Sequence, residues 1–456
     1  MSIPHVLAIP FPAQGHVIPL MEVSKRLVER GIQVTFVNTD FIHKRVVDVL
    51  MDEDLLGDKI RLVSIPDGLE PGEDRNDLGL LAEAMFRVMP GKLAELIRET
   101  EEKGEKITCI LADGSTGWAL EVAQKMNIPK AAFWPASVAL FASGLSIPKM
   151  ISDGIINDEG VVIKHQKFQL ATGIPDMSPA NLTWACIGDA ATQKIIFKVM
   201  VTMSKSAELA DWFIGNTSCD LEPAALAFAR RILPIGPLLA NHRLDSSAGY
   251  FWPEDSNCLK WLDQQPHKSV VYVAFGSFTV FDQIQFQELA LGLELCNRPF
   301  LWVVRPDITE EKDDAYPKGF EERISGRGKL VGWAPQQKVL AHPAIACFVS
   351  HCGWNSTMEG ASNGIPFLCW PYFADQFLNE SYICDLWRVG LRFDRHESGI
   401  IRREEIKRKV DQLLDDHNFG KRASDIKEKL ANGIEEGGES DKNFSNFVQW
   451  LKALRA

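Results

Sequence analysis

One stretch of the chain, Trp333 to Gln376, carries polar residues at a spacing that suits an anionic, hydroxyl-rich ligand. Its apolar run Ala344 to Val349 predicts a buried strand, and Gly353 then permits a tight turn into a helix that opens with Asn, Ser and Thr. A helix N-terminus attracts anions through its free N–H groups and its dipole, so this corner predicts a phosphate cradle. His351 could serve at its rim as a cation or a donor. The first residue of the stretch could stack on a base and the last two, Asp and Gln, could hold hydroxyls, which is the order of parts in a nucleotide-sugar.

A histidine and an aspartate near the N-terminus form a second candidate group. His16 follows the turn Phe11 to Gly15 after the first predicted strand, and Asp113 ends the fourth. An imidazole is suited to removing a hydroxyl proton near neutral pH, and a carboxylate on its far nitrogen would fix the tautomer and stabilise the imidazolium. The residues alone leave an equal alternative, in which His16 is a helix-terminal donor and Asp113 caps the following turn.

The segments around these residues alternate between strand and helix, which predicts a parallel, doubly wound α/β sheet. Helical periodicity marks Val17 to Arg30 and Leu80 to Glu102, residues 67–77 predict a surface loop, and residues 150–210 predict short helices and loops. The strands predicted in this half are His5 to Pro10, Ile32 to Asn38, Ile60 to Pro66, Ile107 to Asp113 and Lys130 to Trp134.

A second alternation predicts a second domain of the same class. The expected helices are Gln283 to Cys296 and Ser356 to Asn363, and two such halves leave a ligand cleft between the C-terminal ends of their strands. The predicted strands are Ser269 to Phe275, Phe300 to Arg305, Lys329 to Gly332, Ile345 to Ser350 and Pro366 to Trp370. The expected divisions are an N-terminal domain at 1–237, a linker at 238–255, a C-terminal domain at 256–435 and a final helix at 436–456.

The stretch Trp333 to Gln376 resembles, without gaps, the signature segment of the plant family 1 UDP-dependent glycosyltransferases. Its landmarks in this chain are WAPQ, HCGWNS, E-G and DQ. The resemblance implies the GT-B fold, in which two Rossmann-like doubly wound parallel-sheet domains face each other across a cleft and the last helix packs back on the N-terminal domain. It also implies that His16 and Asp113 are the catalytic base and its partner. The alternative of a merely packed strand–helix–strand unit does not explain polar residues at every strand end.

The resemblance further implies a role for each position of the donor site. Gln376 is similar to the residue of members that prefer glucose. The expected contacts are uracil for Trp333 and Ala334, ribose for Gln336 and Glu359, diphosphate for Ser277, His351, Asn355, Ser356 and the corner at Gly353, and sugar for Trp354, Asp375 and Gln376.

These roles imply a single displacement that inverts the anomeric centre. His16 would remove the acceptor proton, UDP would leave from the opposite face, and the helix N-terminus at Ser356 would stabilise the charge on the leaving phosphate. No metal or other cofactor is expected, and UDP-glucose is a co-substrate. The only D-x-D sequence, Asp52 to Asp54, continues a helical stretch, so a solvated helix face is the favoured interpretation.

The acceptor is less constrained than the donor. We expect Phe133, Trp134 and Phe141 to line its site beside the 67–77 loop. An apolar, aromatic lining favours flat phenolics such as flavonoids or stilbenes, although terpenoids and hormones fit the same description. The sequence leaves open whether oxygen, nitrogen or sulfur is glycosylated.

Composition excludes several classes of protein. The chain has 456 residues, 46% hydrophobic and 24% charged, and a formal charge of −12 argues against affinity for nucleic acid or anionic membrane. Nine cysteines without paired CxxC spacing suggest reduced thiols and a cytoplasmic location. Residues 1–16 lack the basic region of a signal peptide, and residues 131–148 are interpreted as a buried strand and helix instead of a membrane span. We expect a monomer.

Three rival interpretations fit the sequence less well. A nicotinamide-dependent oxidoreductase would need G-x-G-x-x-G after the first strand, where Pro10 and Pro12 stand. An α/β-hydrolase would need G-x-S-x-G, and Gly114 to Gly117 has the wrong spacing. A non-catalytic nucleotide-sugar or metabolite-binding protein would keep the donor site, but the joint presence of His16 and Asp113 counts against it.

Overall fold

Two parallel β-sheets organise the computed structural model, which describes residues 3–49, 60–239, 252, 254–309 and 315–454. The strands of the first sheet are β1 (His5–Ile9), β2 (Gln33–Thr39), β3 (Ile60–Ile65), β4 (Cys109–Asp113), β5 (Lys130–Trp134), β6 (Trp212–Gly215) and β7 (Ile232–Pro234). Those of the second are β8 (Val270–Ala274), β9 (Phe300–Val303), β10 (Gly328–Val331), β11 (Ile345–Ser350), β12 (Phe367–Cys369) and β13 (Gly390–Arg392). The orders are β3-β2-β1-β4-β5-β6-β7 and β10-β9-β8-β11-β12-β13. The prediction of two doubly wound parallel-sheet units is confirmed.

Helices connect most successive strands. They are α1 (Gln14–Glu29), α2 (Asp40–Val49), α3 (Leu78–Glu102), α4 (Trp118–Lys125), α5 (Val138–Leu145), α6 (Ile147–Ser152), α7 (Ala190–Ser206), α8 (Pro223–Phe228), α9 (Asn257–Leu262), α10 (Gln283–Leu295), α11 (Phe320–Ile324), α12 (Gln336–Ala341), α13 (Trp354–Asn363), α14 (Gln376–Ser381), α15 (Arg403–Asp415), α16 (His417–Ile434) and α17 (Glu439–Ala453). The uncharged stretch 131–148 is a buried strand and helix, as predicted.

Strand residues alternate between two apolar layers, because successive side chains of a strand point to opposite faces of the sheet. In β1, Leu7 and Ile9 belong to the layer that contains residues of α3, α4 and α7, whereas Val6 and Ala8 belong to the layer that contains residues of α1. Helix α17 joins this second layer through apolar residues such as Phe447, so the last helix packs on the first sheet.

Each sheet has one point at which its strand order reverses. It lies between β1 and β4 in the first sheet and between β8 and β11 in the second. Loops leave such a point in opposite directions and open a crevice at the C-terminal ends of the two strands. The ends of β1, β4, β8 and β11 and the segments that follow them lie at these crevices and carry His16, Asp113, Ser277 and His351.

Several predicted elements differ from the structure. Helix α1 begins at Gln14, before the predicted Val17, so His16 lies in its first turn. The prediction of only short helices in residues 150–210 is wrong, because α7 has 17 residues and is capped by Asp189, whose side chain accepts a hydrogen bond from Thr192 N. Strands β6, β7 and β13 were not predicted. The Asp52 to Asp54 sequence and most of the 238–255 linker lie outside the described residues, and the domain divisions stay a prediction.

Candidate active site

A histidine–aspartate pair stands at the crevice of the first sheet. His16 Nδ1 lies 2.8 Å from Asp113 Oδ2, and the aspartate is fully buried while the His16 side chain is 27% exposed. The other oxygen, Oδ1, accepts a 2.8 Å hydrogen bond from the backbone N–H of Ser115. The sequence left open whether Asp113 caps the following turn or holds the imidazole. In the structure it does both.

The surroundings of His16 favour its protonated form. Burial alone would lower the pKa of His16, but the charge and hydrogen bond of Asp113, together with the charge of Asp375, raise it above the usual 6.5. With Nδ1 bonded to a carboxylate, the ring can take up a proton at Nε2. This arrangement gives a base whose conjugate acid is stabilised.

The corner between β11 and α13 forms the opposite part of the site. Gly353 is the N-cap of α13, and no side chain caps this end of the helix. Ser356 lies in the first turn and is buried, as is most of the helix. The free N–H groups of this helix end can therefore receive an anion.

His351 is packed tightly against two glycines at this corner. A Cβ added to Gly276 or to Gly353 would clash with its Nε2 atom, so both positions require glycine. Burial, with a smaller contribution from the positive charge of Arg305, lowers the pKa of His351 to about 4. The ring is therefore neutral near pH 7, and of the two predicted roles this pKa argues against the cation and is compatible with the donor. Its Nδ1 atom is buried and has no hydrogen-bond partner among the described residues.

Arg305 orders the loop that carries Ser277, and the sequence did not predict this role. Its buried guanidinium donates hydrogen bonds to the carbonyl oxygens of Gly276 and Thr279 and to the carboxylate of Asp307. The signal available was an arginine at the end of a predicted apolar strand, a position where a buried cation needs several acceptors.

Gln336 connects two further predicted donor-site residues, Ser356 and Glu359, with Tyr272. Its Nε2 atom donates to Ser356 Oγ at 2.9 Å and to Glu359 Oε2 at 2.5 Å, and its Oε1 accepts from Tyr272 OH at 3.1 Å. Burial raises the pKa of Glu359 to about 7, although the hydrogen bond from Gln336 opposes the shift. The predicted pair for ribose is thus brought together on one partly buried network.

The indole of Trp333 stands at the far end of the same wall. The ring of Trp252 lies nearly parallel to it, with 6.5 Å between ring centres and 26° between planes. The Trp333 carbonyl also accepts a 2.9 Å hydrogen bond from Asp255 N. Ala334 beside it is buried and lines the same cavity. These contacts hold the Trp333 segment at the cavity, where the indole can serve as a stacking surface.

The Asp375-Gln376 pair begins helix α14 after a turn with Ala374 at φ +57°. Gln376 Oε1 accepts hydrogen bonds from the N–H groups of Tyr372 and Phe373, at 2.8 and 3.1 Å, which leaves its amide N–H groups for a ligand. Asp375 Oδ2 accepts from Asn379 Nδ2 at 2.8 Å. Burial raises the pKa of Asp375, against the opposing effects of Asn379 and His16.

Two predicted donor residues make contacts between the sheets. Trp354 Nε1 donates to the Asn216 carbonyl at 2.7 Å, so the indole N–H is already engaged. Asn355 Nδ2 donates to the Gly15 carbonyl at 2.7 Å, and its Oδ1 accepts from Asn216 Nδ2 at 3.3 Å. The expected contacts of these two side chains with sugar and diphosphate are not prepared in this arrangement.

A cavity of about 330 Å³ joins His16 to the predicted donor-site residues. The predicted site residues that line it are His16, Ser277, Trp333, Ala334, Gln336, His351, Gly353, Trp354, Asn355, Ser356, Glu359, Asp375, Gln376 and Trp134. Asp113 stands behind His16.

Phe133 and Phe141 do not line the cavity, and their placement there is corrected. Phe133 is fully buried in the layer beneath β5 because it alternates with Trp134. Phe141 is held edge-on between Trp134 and Phe213, at 5.3 and 5.1 Å between ring centres. The 67–77 loop also lines a different cavity, and its place is taken by Leu78 and Ala82 of α3.

Several cavity residues that the sequence did not place in the site belong to α7 or to the segment before it. Most are aliphatic or thioether side chains: Ile196, Val199, Met200 and Met203 of α7, with Thr183 and Ile187 before it.

Comparison with known proteins identifies the class of enzyme. Residues 234–424 match the sequence model of a family described as UDP-glucoronosyl and UDP-glucosyl transferase. The chain is 46% identical to UDP-glycosyltransferase 83A1 of Arabidopsis thaliana, over 99% of this chain and 98% of the relative. The chain belongs to the UDP-glycosyltransferase family. It is thus an enzyme, and the non-catalytic alternative is set aside.

Solved structures of plant UDP-glycosyltransferases have the same fold. Os79 from O. sativa, in complex with UDP, is 28% identical with a TM-score of 0.81, covering 98% of this chain and 100% of Os79. A UDP-glucosyltransferase from Polygonum tinctorium capable of glucosylating indoxyl is 27% identical with a TM-score of 0.83, covering 99% and 100% of the two chains. The predicted GT-B fold is confirmed. In the described part of this UDP-glycosyltransferase, none of the helices is long and apolar enough to span a membrane.

Proposed function

We propose that this UDP-glycosyltransferase transfers glucose from UDP-glucose to a hydroxyl group of a small lipophilic acceptor, with inversion, to give a β-glycoside. The observation that carries the proposal is the shared cavity, with the His16–Asp113 pair on one side and the α13 N-terminus on the other. Such a cavity can hold a nucleophile and a leaving diphosphate in line.

His16 acts as the general base. Its Nε2 removes the acceptor proton as the oxygen attacks the anomeric carbon, and the buried Asp113 carboxylate stabilises the resulting imidazolium. The bond from the anomeric carbon to the phosphate oxygen breaks, and UDP leaves with the electron pair. Because attack and departure occur on opposite faces, an α-linked donor gives a β-linked product.

The donor wall stabilises the leaving group through backbone N–H groups and neutral side-chain donors. The free N–H groups at the start of α13 and the Ser356 hydroxyl face the diphosphate, and neutral His351 donates a hydrogen bond. Trp333 stacks on uracil, and Gln336 with Glu359 binds the ribose hydroxyls. The free amide N–H groups of Gln376 suit a hydroxyl of the sugar, which is consistent with glucose.

We also propose that transfer proceeds without a metal ion, because the N–H groups at the start of α13 can stabilise the charge of the leaving diphosphate. Among the described residues, no group of three His, Cys, Asp or Glu side chains could hold one. A cytoplasmic location and a monomeric state stay predictions from the sequence.

The acceptor end of the cavity supports a neutral, lipophilic substrate. Apolar side chains surround it, and no lysine or arginine is among the described residues that line the cavity. A carboxylate placed among the apolar side chains would lose hydration without gaining a partner. The Phe11 ring, 5.2 Å from that of His16, and the Trp134 ring offer faces to an aromatic acceptor. A phenol fits this setting, and the Polygonum tinctorium relative, which glucosylates indoxyl, acts on a flat acceptor of this kind.

A panel of aglycones with UDP-glucose, UDP-galactose and UDP-glucuronic acid, read by mass spectrometry, tests the proposal. We expect glucosides of neutral phenols, and a proton coupling constant of the anomeric centre that reports the β-linkage. Preference for another donor sugar, or for a carboxylic acid over every phenol, would contradict it.

A further inference from the structure

Asn216 lies at the junction of the two sheets, outside the group of residues that face the reactants. It follows β6, is 1% exposed, and is held by its own backbone, since its N–H donates to the Trp134 carbonyl at 2.8 Å. Gly236 lies against the Asn216 side chain in space and leaves room for it, because a Cβ on Gly236 would clash with Asn216 Oδ1. A buried asparagine so placed is rigid.

The polarity of the Asn216 amide is fixed by its partners. Its Oδ1 accepts a 3.0 Å hydrogen bond from Leu238 N, so the oxygen is identified and Nδ2 must point the other way. That Nδ2 donates to Asn355 Oδ1 at 3.3 Å. The amide of Asn355 is thereby oriented too, and its Nδ2 donates to the Gly15 carbonyl at 2.7 Å.

This chain of two amides connects the two halves of the reaction site. Asn355 is the second residue of α13, whose N-terminus faces the diphosphate, and Gly15 directly precedes His16 in α1. We propose that Asn216 is a positioning residue, which orients Asn355 so that the donor helix holds the base at its working distance from the anomeric carbon. The inference rests on the proposed role of His16.

Positioning of this kind acts on the rate of transfer more than on binding. A shift of about 1 Å between reacting groups can cost on the order of 100-fold in rate. The UDP-binding residues Trp333, Gln336 and Glu359 all belong to the second sheet or its connections, so they do not depend on the Gly15 contact.

Asn216→Asp is the sharpest test, because an ionised aspartate still accepts from Leu238 N but cannot donate to Asn355. With UDP-glucose and the best phenol of the panel, we expect kcat to fall about 10-fold or more, while the dissociation constant for UDP in calorimetry changes less than twofold. Asn443→Asp is the control, since Asn443 Nδ2 likewise donates a hydrogen bond, to the Pro234 carbonyl at 2.9 Å, and neither residue lines the cavity. Its kcat should stay at the wild-type value.

Asn355→Ala provides a second variant should Asn216→Asp fold poorly. We expect the same loss in kcat with UDP affinity retained, and no further loss when both substitutions are combined, because they interrupt one connection. If Asn355 instead contacts the diphosphate directly, UDP binding weakens and the inference is overturned. Wild-type kcat in either variant also overturns it. Full activity of His16→Ala would instead reject the proposed base.

Discussion

Asp113 divides its two carboxylate oxygens between the imidazole of His16 and the backbone N–H of Ser115, each at 2.8 Å. The backbone contact fixes the carboxylate, and the fixed carboxylate orients the ring. A residue that caps a turn thus also sets the protonation behaviour of the proposed base.

Replacing this carboxylate should affect rate and pH dependence together. In Asp113→Asn the Ser115 contact can persist, but the charge that raises the pKa of His16 is lost. We expect kcat to fall roughly 100-fold, within the range of general-base catalysis. A lower pKa keeps the base neutral at lower pH, so the acid limb of the kcat profile should move to lower pH. An unmoved acid limb would show that Asp113 does not set this pKa.

The wild-type profile gives a second check on His16. Because its pKa is raised above 6.5, the neutral, proton-accepting form is lost on acidification while the pH is still above 6.5. We therefore expect activity on a weakly acidic alcohol to decline below a midpoint higher than 6.5. A midpoint at pH 5 would contradict the assignment, provided that the protein stays folded there by circular dichroism.

Replacing Glu359 should raise the stability of the free protein and lower its affinity for UDP. Its folded-state pKa of about 7 exceeds the usual 4.5, so its contribution to stability is present below pH 4.5 and lost as pH rises through 7. Glu359→Gln removes the cost of a buried charge, and we expect it to stabilise the free protein at pH 8 by on the order of 2 kcal/mol. At pH 5 most of this gain should vanish, while UDP binding weakens at both values. Thermal denaturation and calorimetry measure the two effects, and a gain independent of pH would contradict this account.

Gly353 should tolerate no side chain. In Gly353→Ala the new methyl group meets the His351 ring, so either the ring or the corner must move. We expect UDP affinity to fall at least 10-fold. Gly91→Ala is the control, because Gly91 lies within α3 and an added Cβ meets nothing within 4 Å. Equal UDP affinity in the two variants would show that the corner does not hold the diphosphate.

Trp333 should contribute to the binding of the uracil ring and not to the binding of the phosphates. Stacking between a base and an aromatic ring contributes about 1–3 kcal/mol, so Trp333→Ala should weaken UDP binding roughly 10- to 100-fold. Pyrophosphate, which has no base, should compete for the site equally well in variant and wild type. A parallel loss for both ligands would indicate that the indole only supports the fold.

The sequence predicts the parts of this enzyme that depend on local pattern. Strand β5 and strand β11 match their predicted limits, and the donor segment forms a continuous wall because its landmarks stand at the ends of β10, β11 and β12. Helix α7 was missed although Ile196, Met200 and Met203 recur at helical spacing, because the proline-rich segment before it suggested irregular structure throughout.

What the sequence did not reveal depends on contacts between distant segments. Whether Phe133 or Trp134 faces the cavity is set by which layer each strand face joins, and a fully apolar strand does not show this. The hydrogen bond between Asn216 and Asn355 joins positions 139 residues apart, so no local pattern marks it. The pKa of His351 likewise follows from tertiary burial.

The turnover of His16→Ala tests most directly whether an imidazole across the cavity from the donor corner activates the acceptor. With UDP-glucose and an alcohol or weakly acidic phenol at saturation, we predict a kcat at least 100-fold below wild type and a UDP dissociation constant within twofold of it. A variant that kept wild-type turnover on such an acceptor would contradict the account.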